Sequence, residues 1–178
     1  VVSPTVSANG EAGKYQVMVT SPDGQDNLIF DLGNYRNFRL NAAIAGAGSG
    51  SVDLNPSGGV YQEGSIITLT AQAQTGSIFG GWFGDSVSNN NPLVLPLNSD
   101  LNITATFNLL TYTLSLNTSG TGNGSANANP SQTVYDHGTV VVLSATPDSV
   151  SEFTAWSGDA MGSTNPFSLT MDGNKAVT

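Results

Sequence analysis

The chain aligns with itself. Displaced by 74 residues, Phe38–Thr104 falls on Tyr112–Thr178 without a gap, and 22 of the 67 paired positions are identical. A register that holds over such a length means one supersecondary unit built twice, so any fold assigned to the first segment must also suit the second. The shared positions are specific. Gly46, Gly48, Gly50 and Ser51 fall on Gly120, Gly122, Gly124 and Ser125, and Asn55-Pro56-Ser57 falls on Asn129-Pro130-Ser131. Val60-Tyr61 and Gly64 fall on Val134-Tyr135 and Gly138, and Asn91-Pro92 falls on Asn165-Pro166. Phe79, Trp82, Gly84 and Asp85 fall on Phe153, Trp156, Gly158 and Asp159.

The hydrophobic pattern within each unit has period two. Leu101, Ile103, Ala105 and Phe107 alternate with polar residues, as do Ile67, Leu69 and Ala71, and in the second unit Val141, Leu143 and Ala145. Strands are also expected at Phe38–Ile44, Tyr112–Leu116, Ile78–Phe83, Glu152–Trp156, Leu93–Leu97 and Phe167–Met171. The expected fold is all-β: two tandem copies of a small module, each with about five to six short strands, preceded by a β-hairpin segment. The hairpin is read from Lys14–Thr20 and Leu28–Leu32 around the Ser21-Pro22-Asp23-Gly24 turn. The expected organisation is residues 1–36 as the tail of a preceding β domain or an N-terminal cap, 37–107 as the first repeat, and 111–178 as the second. The second copy stops at Thr178, where the partner of Ala105-Thr106-Phe107 would begin, so its last strand reads as truncated and a longer multidomain chain is expected. A core this small is marginal alone, and stacking of neighbouring copies is expected to contribute.

Composition supports strands over helices. Only 10% of residues are charged, and Ser, Thr, Asn and Gly take their place, which suits turns and strand surfaces better than helix surfaces. Four Lys and Arg against 13 Asp and Glu give a formal net charge of -9. Nucleic acid and polyanionic glycans are therefore disfavoured partners. With no Cys there is neither a disulfide framework nor a thiolate metal site. No apolar run is long enough for a membrane-spanning helix.

The order of a Gly-rich opening, Asn-Pro-Ser, Tyr-x-x-Gly, a Thr- or Val-rich strand, Phe-x-x-Trp-x-Gly-Asp and Asn-Pro resembles the divergent internalin B-repeat family of bacteria. The resemblance covers Phe38–Thr178, and its departure is Phe83 where the second copy has Ser157. It implies a small β module in large secreted or surface proteins, beside polysaccharide-degrading enzymes or in adhesin stalks. It implies no catalytic residues.

The residues themselves offer little for catalysis. His137 is the one histidine, and its counterpart is Glu63, so it reads as a solvated turn residue. No nucleophile motif accompanies it. Asp85 and Asp159 occur once per copy after the Trp, the pattern of an acid that fixes a turn through its side-chain oxygens. No cofactor is expected. Calcium would suit the oxygen-rich stretches Asp23, Asp26, Asn27 and Asp172, Asn174, but neither supplies a full loop of ligands.

The aromatics carry the binding hypothesis. Simple alternation along Glu152–Trp156 sends Phe153 inward and Trp156 outward, where an indole could stack on a sugar ring. The opposing reading is that Trp packs under the Gly-Asp turn or that a bulge reverses it. The candidate carbohydrate contacts are Trp82, Trp156, Tyr61 and Tyr135, with Asp85 and Asp159 as hydrogen-bonding partners. The expected function is a non-catalytic accessory module of a secreted or surface protein, binding a neutral or weakly charged polysaccharide. The alternative is a structural spacer or stalk repeat with no small ligand. Buried aromatics would favour the spacer.

Overall fold

The computed structural model describes residues 36–178 in full and, before them, the backbone of three strands, β1 (Thr5–Ser7), β2 (Lys14–Thr20) and β3 (Asn27–Asn34). These form an antiparallel sheet in the order β1-β2-β3. The expected strand pair is present, with β1 added at its edge. The turn at Ser21–Gly24 lies outside the described residues, as does the oxygen-rich stretch at Asp23 and Asp26.

The first copy comprises β4 (Asn37–Ala45), β5 (Gly50–Asn55), β6 (Val60–Gln62), β7 (Ser65–Ala73), β8 (Ser77–Gly84), β9 (Leu93–Leu97) and β10 (Leu101–Leu109). They make two sheets, in the orders β6-β4-β10-β8 and β5-β7-β9. The second copy comprises β11 (Thr111–Tyr112), β12 (Leu114–Leu116), β13 (Gly124–Asn129), β14 (Tyr135–Asp136), β15 (Val140–Pro147), β16 (Phe167–Thr170) and β17 (Lys175–Val177). Its sheets run β11-β14, β12-β17 and β13-β15-β16. The fold is all-β, and no helix occurs among the described residues.

The displacement of 74 residues carries through to the pairing. Ile67 faces Leu95 and Val141 faces Leu169; Phe38 faces Tyr61 and Tyr112 faces Tyr135. Turn bonds repeat as well: the amides of Gly64 and Gly138 donate to Leu97 and Met171 carbonyls, each at 2.8 Å. The two glycines have φ +82° and +84°, which a side chain would oppose, and this explains the Tyr-x-x-Gly spacing. All four Asn-Pro bonds are cis. In copy 2 the strand after β11, β12, pairs in parallel with the last strand, β17, Leu114 with Lys175 through Leu116 with Val177.

Two compact units make up the chain. One comprises residues 1–43, 53–70 and 82–104; the other comprises 44–52, 71–81 and 105–178. In the first unit the core is Leu40, Tyr61, Ile67, Leu69, Trp82, Leu93, Leu95, Leu97 and Ile103. In the second, Tyr135, Val141, Leu143, Trp156, Ala160, Leu169, Met171 and Val177 pack together. Seven of these eight are counterparts of first-unit core residues; Ala160 stands where copy 1 has Ser86.

Two expectations change. The strand expected at Glu152–Trp156 is not formed; those residues are irregular up to an isolated bridge between Trp156 and Gly162. Conversely, the Gly-rich opening of each copy leads into a strand missing from the expected set, β5 or β13: β5 alternates only Val52 and Leu54 with exposed polar residues, and β13 is polar apart from two alanines, its register set by β15, with Ala126 facing Ala145 and Ala128 facing Leu143. Asn and Asp are poor strand formers alone, so pairing with an apolar neighbour decides the outcome.

Candidate functional site

The Trp-x-Gly-Asp motif is a fastening for the last strand of each copy. Trp82 is fully buried, and its indole N–H donates to the Asn90 carbonyl at 3.0 Å. Trp156 is 3% exposed and donates to the Thr164 carbonyl at the same distance. The residue after each Trp, Phe83 or Ser157, is exposed, so this position tolerates either side chain. Gly84 and Gly158 follow with φ +104° and +87°. A Cβ on either would lie 2.2 Å from the Asn102 carbonyl oxygen or 2.3 Å from that of Ala176, so only glycine admits the neighbouring strand.

The acids complete the fastening. The backbone N–H of Asn102 donates to Asp85 Oδ2 and that of Ala176 to Asp159 Oδ2, both at 2.7 Å. In return the Asp85 and Asp159 amides donate to the Asn102 and Ala176 carbonyls, at 3.0 and 2.9 Å. The expected local turn is thus replaced by a reciprocal pair of bonds to a strand 17 residues away. An exposed carboxylate accepting a backbone N–H makes a charge-assisted bond, stronger than a neutral one.

Tyr61 and Tyr135 are 7% and 1% exposed, and their hydroxyls donate to the Pro56 and Pro130 carbonyls at 2.9 and 3.0 Å. The Gln132 amide donates back to the Tyr135 hydroxyl. Burial pushes the Tyr61 phenol above its ordinary value. All four candidate rings therefore lie inside their units, and of the two orientations open to Trp156 the inward one is found, not the outward one that simple alternation gives. Alternation fails because the pleat is interrupted before the indole. In copy 1, Gly81 takes φ +134° and is buried next to Trp82; in copy 2 no strand exists there to alternate.

Other residues contribute that composition does not flag. Asn165 pairs with both backbone groups of Ala145, accepting at 3.0 Å and donating at 2.7 Å, like one residue of an extra strand. Its recurrence as Asn91-Pro92 and Asn165-Pro166 is the signal the sequence offers for it. His137 lies in the turn after β14 as expected, but it is half-buried rather than solvated. Its ring rests on Gly76, where a Cβ would come within 2.1 Å, and lies 5.9 Å from the Tyr112 ring. Its Nδ1 is buried without a hydrogen-bond partner. The backbone is tied at the same place: Leu110 N–H donates to Gly76 O and His137 N–H to Leu110 O, each at 2.8 Å.

The oxygen-rich stretch near the end of copy 2 is occupied by protein partners. Asp172 pairs with Lys175 Nζ at 2.6 Å, and Asn174 Oδ1 accepts from the Thr113 amide at 2.9 Å. Among the described residues no three His, Cys, Asp or Glu lie together in a way that could hold a metal ion.

Lys175, through its hydrogen bond and charge, holds the Asp172 carboxyl below its ordinary value, and the bond from the Ser151 hydroxyl does most to lower Asp148. Carboxyls depressed on folding stabilise above their unfolded value and lose that contribution as pH falls through the folded one. Lys175, raised by Asp172, and Tyr61, raised by burial, stabilise below their unfolded values and lose it on the alkaline side. Thermal melts are expected to show a plateau near neutrality, with the midpoint falling below about pH 4 and again above about pH 10. A midpoint that rises on acidification would contradict these pairings.

A family model described as a divergent InlB B-repeat domain matches residues 40–110 and again 112–178. No curated protein and no solved structure matches the chain.

Proposed function

Because the chain belongs to the divergent InlB B-repeat domain family, we propose that it is a non-catalytic structural segment of an extracellular or surface protein, two repeats that set distance between the domains on either side. The observation supporting this reading is how the repeated motif is used. Trp82, Trp156, Tyr61 and Tyr135 fill the interior, and Asp85 and Asp159 tie down a strand. A sugar-stacking site needs flat aromatic faces in solvent, and these rings are committed elsewhere. What the two copies share is the means of folding.

Affinity electrophoresis tests the reading against the accessory, carbohydrate-binding alternative. The 178-residue chain is run in gels containing neutral polysaccharides. Its mobility is expected to match gels without polysaccharide, relative to an inert reference protein. Retardation by any of them would overturn the spacer reading and restore a polysaccharide-directed module.

A further inference from the structure

Gly76 sits in the turn between β7 and β8 with φ +80°. Its counterpart in the 74-residue register is Val150. The same three bonds close both turns. The Gln74 amide donates to the Ser49 carbonyl and the Asp148 amide to that of Asn123, at 2.9 and 3.0 Å. The Ser49 and Asn123 amides donate to the Ser77 and Ser151 hydroxyls, at 2.8 and 2.9 Å. The Ser77 and Ser151 amides donate back to the Gln74 and Asp148 carbonyls, at 3.0 and 3.4 Å. Only glycines have a positive φ among the described residues, so Val150 serves its turn without one. Closing the turn does not by itself demand glycine.

What sets position 76 apart is the ring that rests on it. The three atoms nearest to an added Cβ all belong to His137, Cδ2 at 2.1 Å and Cγ and Nε2 at 2.5 Å. The His137 Nδ1 is buried without a hydrogen-bond partner, so no bond from that nitrogen holds the imidazole; packing against Gly76 and Tyr112 does. The backbone bonds here divide into a shared and a particular part. The His137 amide donates to the Leu110 carbonyl just as the Glu63 amide donates to that of Arg36, each at 2.8 Å. Glu63 and Arg36 are their counterparts in the register. The ring on Gly76 has no such counterpart, since Glu63 carries no ring and Val150 is no glycine. Residues 71–81 also belong to the same compact unit as 105–178, and not to the unit that holds most of the first copy.

We propose that Gly76 and His137 form a size-matched joint. The bare backbone of the β7–β8 turn is the seat, and the planar ring two residues after the buried Tyr135 of the following copy is its occupant. Copy 1 thereby contributes part of the fold of copy 2, and the side chains at these two positions select which repeat can follow which.

Amide hydrogen exchange in the full 178-residue chain tests this. Gly76→Ala is compared in the native background and in His137→Ala. Strain at φ +80° is the same in both and cancels, whereas collision with the ring exists only in the first. In the native background Gly76→Ala is expected to speed exchange of the Leu110, His137 and Gly138 amides at least about tenfold. With the ring removed, that factor should be at least about threefold smaller. The Gly64 amide, which makes in the other unit the bond that Gly138 makes here, should keep its rate. A second variant reads the joint from the ring side and adds no backbone strain, so it serves even where Gly76→Ala is too unstable to measure. His137→Phe keeps a planar ring and loses the unpaired nitrogen, and should protect the three amides at least as well as wild type, whereas His137→Ala should release them. Equal acceleration by Gly76→Ala in both backgrounds would overturn the proposal, because backbone strain alone would then account for the glycine. So would equal release by His137→Phe and His137→Ala, or acceleration at Gly64 as large as at Gly138.

Discussion

Trp156→Ala is expected to destabilise the second copy by about 3–5 kcal/mol, the usual range for truncating a buried Trp. The loss has two sources. The indole fills the middle of the cluster of Tyr135, Val141, Leu143, Leu169 and Met171, and its removal leaves a cavity. The Thr164 carbonyl, which now accepts the indole N–H at 3.0 Å, loses its partner. Trp82→Ala should cost a similar amount in the first copy, since Trp82 is buried and bonded to Asn90 in the same way. Phe83→Ser is the control. It removes an aromatic side chain one residue away that is 46% exposed, and should change stability by less than about 0.5 kcal/mol. Denaturant melts of the three variants check the ranking. A Trp156→Ala variant that melts like wild type would place the indole at the surface.

Gly158→Ala is expected to be nearly as damaging although it adds only a methyl group. The backbone at φ +87° is strained for any residue with a Cβ, and that Cβ would sit 2.3 Å from the Ala176 carbonyl oxygen. The last strand must retreat, and with it goes the bond from the Ala176 amide to Asp159. A loss of about 2 kcal/mol or more follows from backbone strain and the broken pair together. Gly138→Ala separates the two sources. It has φ +84° but no atom within 4 Å of the added methyl, so only the conformational contribution remains, about 1–2 kcal/mol. If Gly138→Ala proved more harmful than Gly158→Ala, the close approach of β17 would not be the reason for the Trp-x-Gly-Asp spacing.

The gapless register is the most informative feature of the sequence, because it constrains pairing as well as identity. Once Ile67 and Val141 are placed opposite each other in the alignment, their cross-strand partners Leu95 and Leu169 must also correspond, and they do. Alternation locates β7, β9 and β10 for the ordinary reason that one face of each is buried. It misdirects the reading of Trp156 because period two holds only while the chain remains a pleated strand. The buried Gly81 at φ +134° breaks that condition in copy 1. Asp85 and Asp159 are legible as fixing residues, but their partner is not. The amide each one holds is 17 residues away and becomes a neighbour only after the last strand has returned to the sheet. The strand β13 is hidden by composition. Residues such as Ser125, Asn127 and Asn129 become a strand because β15 already presents an edge to pair with.

The parallel pairing of β12 with β17 has a mechanical consequence. β12 follows only the two-residue β11 at the start of copy 2, and β17 is the last strand, so a pull on the chain from its two sides draws β12 and β17 in opposite directions along their common axis. Antiparallel partners joined by a turn would unzip bond by bond from one end. Here Leu114, Ser115 and Leu116 slide against Lys175, Ala176 and Val177 together, and the bonds between them share the load. Resistance to force is governed by the rate of unfolding rather than by equilibrium stability. A copy with a modest core can therefore still hold under tension, and the two bonds from each Asp to the closing strand lie where that tension would act.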